Sequence, residues 1–180
     1  MLPNFVDSLP LPEADAIARF ETLIQNPLPE AYREFLSKTN GGLAEPEFFK
    51  ALDGSVHEIT FWFGLDEMRP DNPVSLIRRW NVAQLLFRGP ASLINIGRSQ
   101  AGNLLLLSLT GKDQGSVYLW FHDASPSAIW DKGPADESLS ERYQRLGMRL
   151  LAPDLNQLLT AALDQAARQS HFLAQLAGDQ

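Results

Sequence analysis

Apolar residues in the N-terminal part of the chain recur at spacings of three and four residues, which is the pattern of amphipathic helices. The pattern predicts a first helix from about Glu13 to Gln25, ended by Pro27, with an inner face of Ile17, Phe20 and Ile24. A second helix follows, and its predicted inner face consists of Leu28, Ala31, Tyr32, Phe35 and Leu36.

The second helix carries boundary residues at both ends. Pro29 suits the first helical position, where an N–H group would have no partner inside the helix. Asn40, Gly41 and Gly42 all tolerate a positive φ, so they predict a left-handed cap through which the chain leaves the helix. After this turn we expect the chain to enter a sheet.

The next apolar positions change period. Over residues 58–63, Ile59, Phe61 and Phe63 alternate with polar residues and Trp62, which predicts a strand with one buried face. Asn72 and Pro73 then predict the cap and first position of a third helix. That helix is predicted to end near Gly89-Pro90, with one face formed by Leu76, Trp80, Ala83 and Phe87.

The centre of the chain is the most strand-like part. Three short apolar runs, at residues 92–97, 103–109 and 115–123, are separated by polar gaps that contain glycine. Such spacing predicts an antiparallel meander of three strands. Leu104 to Leu107 are apolar on both faces, so we predict that the middle strand is central and covered on both sides.

The C-terminal third contains less regular patterns. An edge strand is predicted near Trp130, and an exposed loop is predicted at residues 131–141. Pro153 is predicted to open one long helix, and its inner face is predicted to contain Leu155, Leu158, Leu159, Ala162, Leu163, Ala166, Leu173 and Leu176.

Composition is that of an ordinary globular protein. Of the 180 residues, 44% are hydrophobic and 21% are charged, which argues against disorder. The chain has no cysteine, which excludes disulfides, thiolate nucleophiles and cysteine-ligated zinc. No apolar run approaches the ~20 residues that span a bilayer, and the N-terminus lacks a basic signal region. These features predict a cytoplasmic protein without membrane contact.

Charge is unevenly distributed along the chain. The net charge is −7, and residues 1–60 hold ten acidic residues against four basic ones. Residues 61–120 hold six basic residues against four acidic ones. Because the whole chain is acidic, it should repel a phosphate backbone, so direct binding to nucleic acid is disfavoured. A basic protein partner is compatible with the charge, although acidic residues also serve solubility alone.

The sequence shows no pattern typical of an enzyme. His57, His122 and His171 have no metal-ligand spacing, and no cofactor loop is present. The glycines of Gly97–Gly102 lack the Lys-Ser/Thr of a phosphate loop, so a hairpin is the favoured interpretation. His122 and Asp123 are neighbours on a predicted strand and point to opposite faces, which disfavours a general-base pair. We therefore predict no catalytic, cofactor-binding or metal-binding residue.

Three segments, taken in order, resemble one protein family. The first is Leu28-Pro29 to Gly42, the second is Ile96-Gly97 followed by Gly102-Asn103, and the third is Gly115 to Asp123. In this order and spacing the chain resembles the SUKH superfamily, which includes yeast cell-wall assembly regulator proteins and many bacterial immunity proteins. The resemblance covers about residues 12–165, and residues 124–150 are longer than the family pattern and suggest a loop region.

The resemblance implies a single α+β domain over residues 1–180. Its sheet should be mainly antiparallel or mixed, and should pack against the N-terminal helices and a long C-terminal helix. The resemblance further implies a non-enzymatic protein that binds and neutralises a toxin domain, such as a basic nuclease. A regulatory interaction scaffold and an enzyme with an unrecognised site remain as alternatives.

Four acidic residues are the candidate partner-binding positions. Glu45, Glu47, Asp53 and Glu58 follow the Gly41-Gly42 turn, where exposed loops and strand ends are expected. Complementary charge at such positions steers the encounter with a basic partner. The acidic residues of the second helix are weaker candidates, because the helix dipole already accounts for them.

Overall fold

The computed structural model describes residues 2–87, 92–123 and 147–178. Within these ranges the chain forms five helices and ten strands. The helices are α1 (Ala16–Ile24), α2 (Glu30–Lys38), α3 (Leu76–Phe87), α4 (Leu155–Thr160) and α5 (Gln165–Gly178). The strands are β1 (Asn4–Val6), β2 (Gly42–Glu45), β3 (Phe48–Lys50), β4 (Val56–Glu58), β5 (Phe61–Trp62), β6 (Leu93–Arg98), β7 (Leu104–Ser108), β8 (Val117–Trp120), β9 (Met148–Ala152) and β10 (Ala162–Leu163).

The strands form two antiparallel sheets. The larger has seven strands in the order β1-β2-β5-β6-β7-β8-β9, and the smaller has three in the order β10-β3-β4. Every pair of neighbouring strands in both sheets is antiparallel, and a single parallel bridge joins Gly64 to Ser75. The predicted α+β fold with a mainly antiparallel sheet is confirmed.

The core lies between the large sheet and the helices. Trp62 of β5 is fully buried, and its ring lies within 6 Å of the rings of Phe5, Phe35 and Phe49. Phe35 comes from α2, so the aromatic cluster fastens this helix to the sheet. The predicted inward positions Phe20 and Ile24 of α1 are buried as well.

The turn after α2 is fixed by hydrogen bonds to two other segments of the chain. Asn40 has a φ of 56° and is fully buried. Its side-chain amide donates to the carbonyl groups of Pro10 and Leu65, and its Oδ1 accepts a hydrogen bond of 2.7 Å from the N–H of Leu65. Gly41 follows with a φ of 80°. The turn thus ends α2. It also connects the end of this helix to the N-terminal segment and to the loop after β5.

The central meander is confirmed. β6, β7 and β8 are consecutive in the chain and adjacent in the sheet. Leu105 and Leu107 of β7 belong to the main core, whereas Leu106 lies in a smaller cluster with Trp120 and two other buried residues. The middle strand is therefore buried on both faces, as its apolar sequence predicts.

Two predictions for the segment between α2 and the meander are wrong in detail. Residues 58–63 form parts of two strands in different sheets, because the chain leaves β4 of the small sheet and enters β5 of the large one. Ile59 and Trp62 are both fully buried, so burial does not alternate. The third helix begins at Leu76, because Asn72 and the residues after it form turns. Leu76 and Trp80 are buried as predicted.

The single long C-terminal helix is also wrong. Asp154 caps the short helix α4 by accepting a hydrogen bond from the N–H of Gln157, and the chain then forms strand β10 before α5 begins. β10 exists because β3 offers it an open edge, with Ala162 opposite Phe49. Leu173 of α5 is exposed, in contrast to its predicted inward position. Ala166 is exposed too.

Like β10, strands β1 and β9 occur where no strand was predicted. β1 pairs with β2 at one edge of the large sheet, and β9 pairs with β8 and occupies part of the predicted 124–150 loop region. The predicted edge strand near Trp130, the 131–141 loop and the helix end at Gly89-Pro90 lie outside the described residues. The side chains of Phe87 and Leu176 also lie outside the described part.

Candidate protein-binding face

The structure brings three of the four acidic candidates together and separates the fourth. Glu45 ends β2, Glu47 precedes β3, and Glu58 ends β4, so all three lie at the same end of the β3–β4 hairpin. Asp53 lies in the turn at the opposite end of this hairpin. Strands of three residues separate the two ends by about 10 Å.

Glu47 and Glu58 are held close to each other by shared contacts. The hydroxyl of Thr60 is within hydrogen-bonding range of both carboxylates. Glu58 Oε1 also accepts a hydrogen bond of 3.2 Å from the backbone N–H of Gln100. In the part of the chain that the structure describes, neither residue forms an ion pair, and neither does Glu45. The three glutamates, hereafter the acidic edge, thus hold negative charge that no described cation neutralises directly.

A shallow groove of about 410 Å³ adjoins the acidic edge. Glu45, Glu47 and Phe48 form one wall, and residues of β10 and α5 form the other. Arg168 of α5 lies in this second wall, with its guanidinium carbon 3.6 Å from the centre of the Phe48 ring. The groove therefore combines the exposed Glu45 and the partly buried Glu47 with apolar lining residues, which suits contact with a protein side chain.

A second groove, of about 490 Å³, lies between the segment before α1 and the loop after β5. Its charged residues are already paired with each other. Arg19 binds Glu67 with an N–O distance of 2.5 Å, and Arg69 binds Asp66 at 3.2 Å. The hydrogen bond from Arg19 lowers the pKa of Glu67. These charges neutralise one another. This groove is therefore less suited to binding a charged partner than the acidic edge is.

Asp53 belongs to a separate polar cluster. Ser55 Oγ lies 2.5 Å from Asp53 Oδ1 and 2.7 Å from His57 Nε2, and Arg149 Nη1 donates to Ser55 Oγ at 3.2 Å. Arg149 Nε also lies 3.7 Å from Asp53 Oδ2. The hydrogen bonds from Ser55 lower the pKa of Asp53. Arg149 thus partly compensates the charge of Asp53, unlike the charges of the acidic edge.

The arrangement of this cluster differs from that of a nucleophilic triad. In such a triad the histidine lies between the serine and the carboxylate and removes the serine proton. Here Ser55 lies between Asp53 and His57, and a hydroxyl has one proton and two acceptor positions. The Ser55 hydroxyl donates its proton to Asp53 and accepts from Arg149 and His57, so its one donor position and two acceptor positions are all occupied. The geometry favours a structural network over an activated nucleophile.

The described residues contain no group of three or more His, Asp or Glu side chains placed to hold a metal ion. None of the helices in the described ranges is long and apolar enough to cross a membrane.

Arg149 and Arg168 are the site residues that sequence reasoning missed. Both are distant in sequence from the acidic candidates, and no local pattern marks either of them.

The sequence matches the profile of the SMI1/KNR4 family (SUKH-1) over residues 12–160. This match spans most of the chain, from the segment before α1 to the end of α4. The chain belongs to the SUKH-1 family. Comparison with curated protein sequences gave no match. The predicted resemblance to the SUKH superfamily is therefore confirmed, and the acidic edge lies within the matched part of the domain.

The segments that carry the resemblance have structural roles in this SUKH-1 domain. The Asn40 turn joins α2 to the sheet, as described above. Gly97–Gly102 forms the β6–β7 hairpin, which is closed by a bond from Ser99 N–H to the Asn103 carbonyl. His122 is exposed, and its backbone N–H and its Nδ1 both lie within 3.1 Å of Asn103 Oδ1. These contacts link the residues just after β8 to the residue just before β7, so the role of His122 here is structural.

The half-buried His57 gives this SUKH-1 domain an expected pH dependence. Burial, and then the nearby charge of Arg149, lower the pKa of His57 in the folded state. The unfolded chain should titrate near about 6.5, so it binds more protons than the folded chain just below that pH. Stability from this residue is therefore complete above about pH 6.5 and falls as the pH drops towards the folded-state value.

Replacing His57 by Gln should flatten this dependence. The measurement is urea unfolding at several pH values between about 5 and 7.5. His122→Gln is the matched control, because it removes an exposed imidazole that contacts Asn103 and should leave the His57 contribution in place. An unchanged pH slope in His57→Gln would contradict the role assigned to burial of this side chain.

Proposed function

We propose that this SUKH-1 domain is a non-enzymatic immunity protein that neutralises a cognate toxin domain by binding directly to it. Membership in the SUKH-1 family, which often includes toxin-immunity proteins, supports this proposal. The observation that carries it is the acidic edge, whose glutamates form no ion pair among the described residues and of which Glu45 and Glu47 line a groove. A cytoplasmic location stays a prediction that accompanies this function.

The acidic edge is best suited to a basic partner. Toxin domains that act on nucleic acid carry positive surfaces, because their substrate is a polyanion. The net charge of −7 attracts such a domain at long range. At contact, carboxylates beside apolar side chains set the orientation of the partner more than they set the final affinity.

The proposed face is tested by removing charge without changing shape. Glu45→Gln combined with Glu47→Gln should slow association with a basic toxin domain by about three- to tenfold at low salt. The difference should shrink at high salt, because ions already screen the attraction. Association rates measured at two ionic strengths by surface plasmon resonance provide the readout.

The matched control removes the same number of charges from α2. Glu30 and Glu34 are exposed on that helix, so Glu30→Gln with Glu34→Gln changes the net charge equally. This control should slow association much less than the groove variant. Equal slowing by both pairs would indicate that total charge alone matters, and would remove the acidic edge as the binding face. Glu58 is left intact because it accepts the Gln100 N–H.

Asp53 provides a graded comparison. Its charge is partly compensated by Arg149, so Asp53→Asn should slow association less than either single substitution in the groove.

The regulatory-scaffold alternative would use the same face for a different partner. Co-expression with a toxic domain separates the two functions, since an immunity protein restores growth and a scaffold does not.

A further inference from the structure

A cluster of arginine and phenylalanine side chains lies where α3 meets the large sheet. The guanidinium carbon of Arg79 is 4.4 Å from the centre of the Phe63 ring, and that of Arg98 is 5.8 Å from the centre of the Phe61 ring. The two rings are 6.0 Å apart. Phe61 and Arg98 are directly opposite each other on β5 and β6. We call these four residues the arginine–phenylalanine patch.

The positive charge of this patch has no acidic partner in the described ranges. The described ion pairs use other cations, and neither Arg79 nor Arg98 takes part in one. Arg79 Nε is buried without a hydrogen-bond partner. Arg78, which precedes Arg79 in α3, adds a further positive charge and donates to the backbone carbonyl of Asp71. The patch thus concentrates unpaired cations, whereas four other described arginines pair with carboxylates: Arg19, Arg33, Arg69 and Arg149.

The surroundings make this arrangement unfavourable without an anion. Burial, followed by the positive charges of Arg98 and Arg78, lowers the pKa of Arg79. A buried charge is normally paired, because its loss of hydration is otherwise uncompensated. An anion that contacts both guanidinium groups would supply the missing partner and relieve the repulsion between them.

We propose that the arginine–phenylalanine patch is a second docking surface that binds a carboxylate-rich segment of a protein partner. Arg98 is exposed, so its guanidinium keeps N–H edges available beside the Phe61 ring, and their fork geometry matches a carboxylate. Phe61 is only partly buried, so it can also contact an apolar side chain of the same segment. The surface is opposite in charge to the acidic edge.

A protein segment fits this patch better than a nucleic acid does. A nucleic acid presents a continuous row of phosphates, and the chain as a whole, at −7, repels such a row. A short acidic segment needs only a few local contacts. The patch also adjoins the acidic edge, because Glu58 binds the N–H of Gln100, two residues beyond Arg98. A longer acidic strand would meet those glutamates, which restricts the site to a short segment.

The test uses a fluorescein-labelled hexaglutamate peptide and fluorescence anisotropy at low salt. The unmodified protein should bind it, and Arg98→Gln should weaken binding by about tenfold. Arg98→Lys keeps the charge but loses the planar fork, so it should restore only part of the affinity. Arg98 is exposed, so both variants should fold, and thermal denaturation verifies this.

Arg168→Gln is the matched control. Arg168 also lies over a phenylalanine ring, that of Phe48, but it faces the glutamates of the groove. This variant should bind the peptide as the unmodified protein does. The proposal is overturned by absence of binding, by equal loss in Arg98→Gln and Arg168→Gln, or by a labelled hexathymidylate that binds as tightly as hexaglutamate. The proposed toxin binding is not used in this test, so the two proposals can fail separately.

Discussion

Replacing Phe35 by alanine is expected to lower the free energy of unfolding by about 3–5 kcal/mol. Phe35 is buried, and its ring centre lies 5.2 Å from that of Phe5, 5.5 Å from that of Trp62 and 5.9 Å from that of Tyr32. Truncation removes these ring contacts and leaves a cavity between α2 and the sheet. The surrounding rings are held by separate elements, so they cannot close it fully. Chemical denaturation measures the change.

Phe172→Ala is the matched control for this prediction. It makes the same truncation on α5, where the side chain is 60% exposed. Its effect should stay within about 0.5 kcal/mol. If the two variants have the same denaturation midpoint, the assignment of the aromatic cluster as the contact between α2 and the sheet is wrong.

Replacing Gly41 by alanine should have an effect of similar size for a different reason. The φ of Gly41 is 80°, which disfavours any side chain. A Cβ atom at this position would also lie 2.7 Å from the nitrogen of Gly64 and from the carbonyl oxygen of Trp62. Both contacts involve backbone atoms, which cannot rotate away. We expect a loss of at least about 3 kcal/mol, measured by thermal or chemical unfolding.

Gly54→Ala separates the two causes. Gly54 has a similar φ of 86°, but a Cβ atom built there meets nothing within 4 Å. Alanine at this position should therefore cost only the conformational term, about 1–2 kcal/mol. The difference between the two variants measures the close approach of the Asn40 turn to the end of β5. Equal losses would show that this approach is not a constraint.

The parts of the fold that were predicted correctly rest on local patterns. The meander β6-β7-β8 needs only short apolar runs joined by glycine-containing turns, and each of its pairings lies between consecutive segments. The inner face of α2 follows from the spacing of its apolar residues. In these elements the residues that contact each other are close together in the sequence, so the pattern of apolar residues is enough to predict them.

The parts that were missed depend on distant partners. Ala162 and Leu163 fit a helix pattern as well as a strand pattern, and only the edge of β3 decides between them. β9 and β1 are strands because β8 and β2 offer them edges. Short apolar runs are ambiguous in sequence, and the tertiary contacts that resolve them are invisible there.

The candidate site shows the same division. Exposure after the Gly41-Gly42 turn was predictable for Glu45, which is indeed exposed. The compensation of Asp53 by Arg149 was not predictable, because the two residues come from different parts of the chain. The arginine–phenylalanine patch likewise joins residues from α3, β5 and β6. The excess of basic residues at positions 61–120 was its only visible sign.

The pairing of β10 with β3 also affects the order of events during synthesis. One wall of the acidic groove comes from residues 44–48, whereas the other includes Leu163 and Arg168. A growing polypeptide leaves the ribosome N-terminus first, so the early wall emerges long before the late one. Closing so long a loop is also slow compared with local pairing. The nascent chain therefore acquires this groove only after Leu163 and Arg168 have left the ribosome.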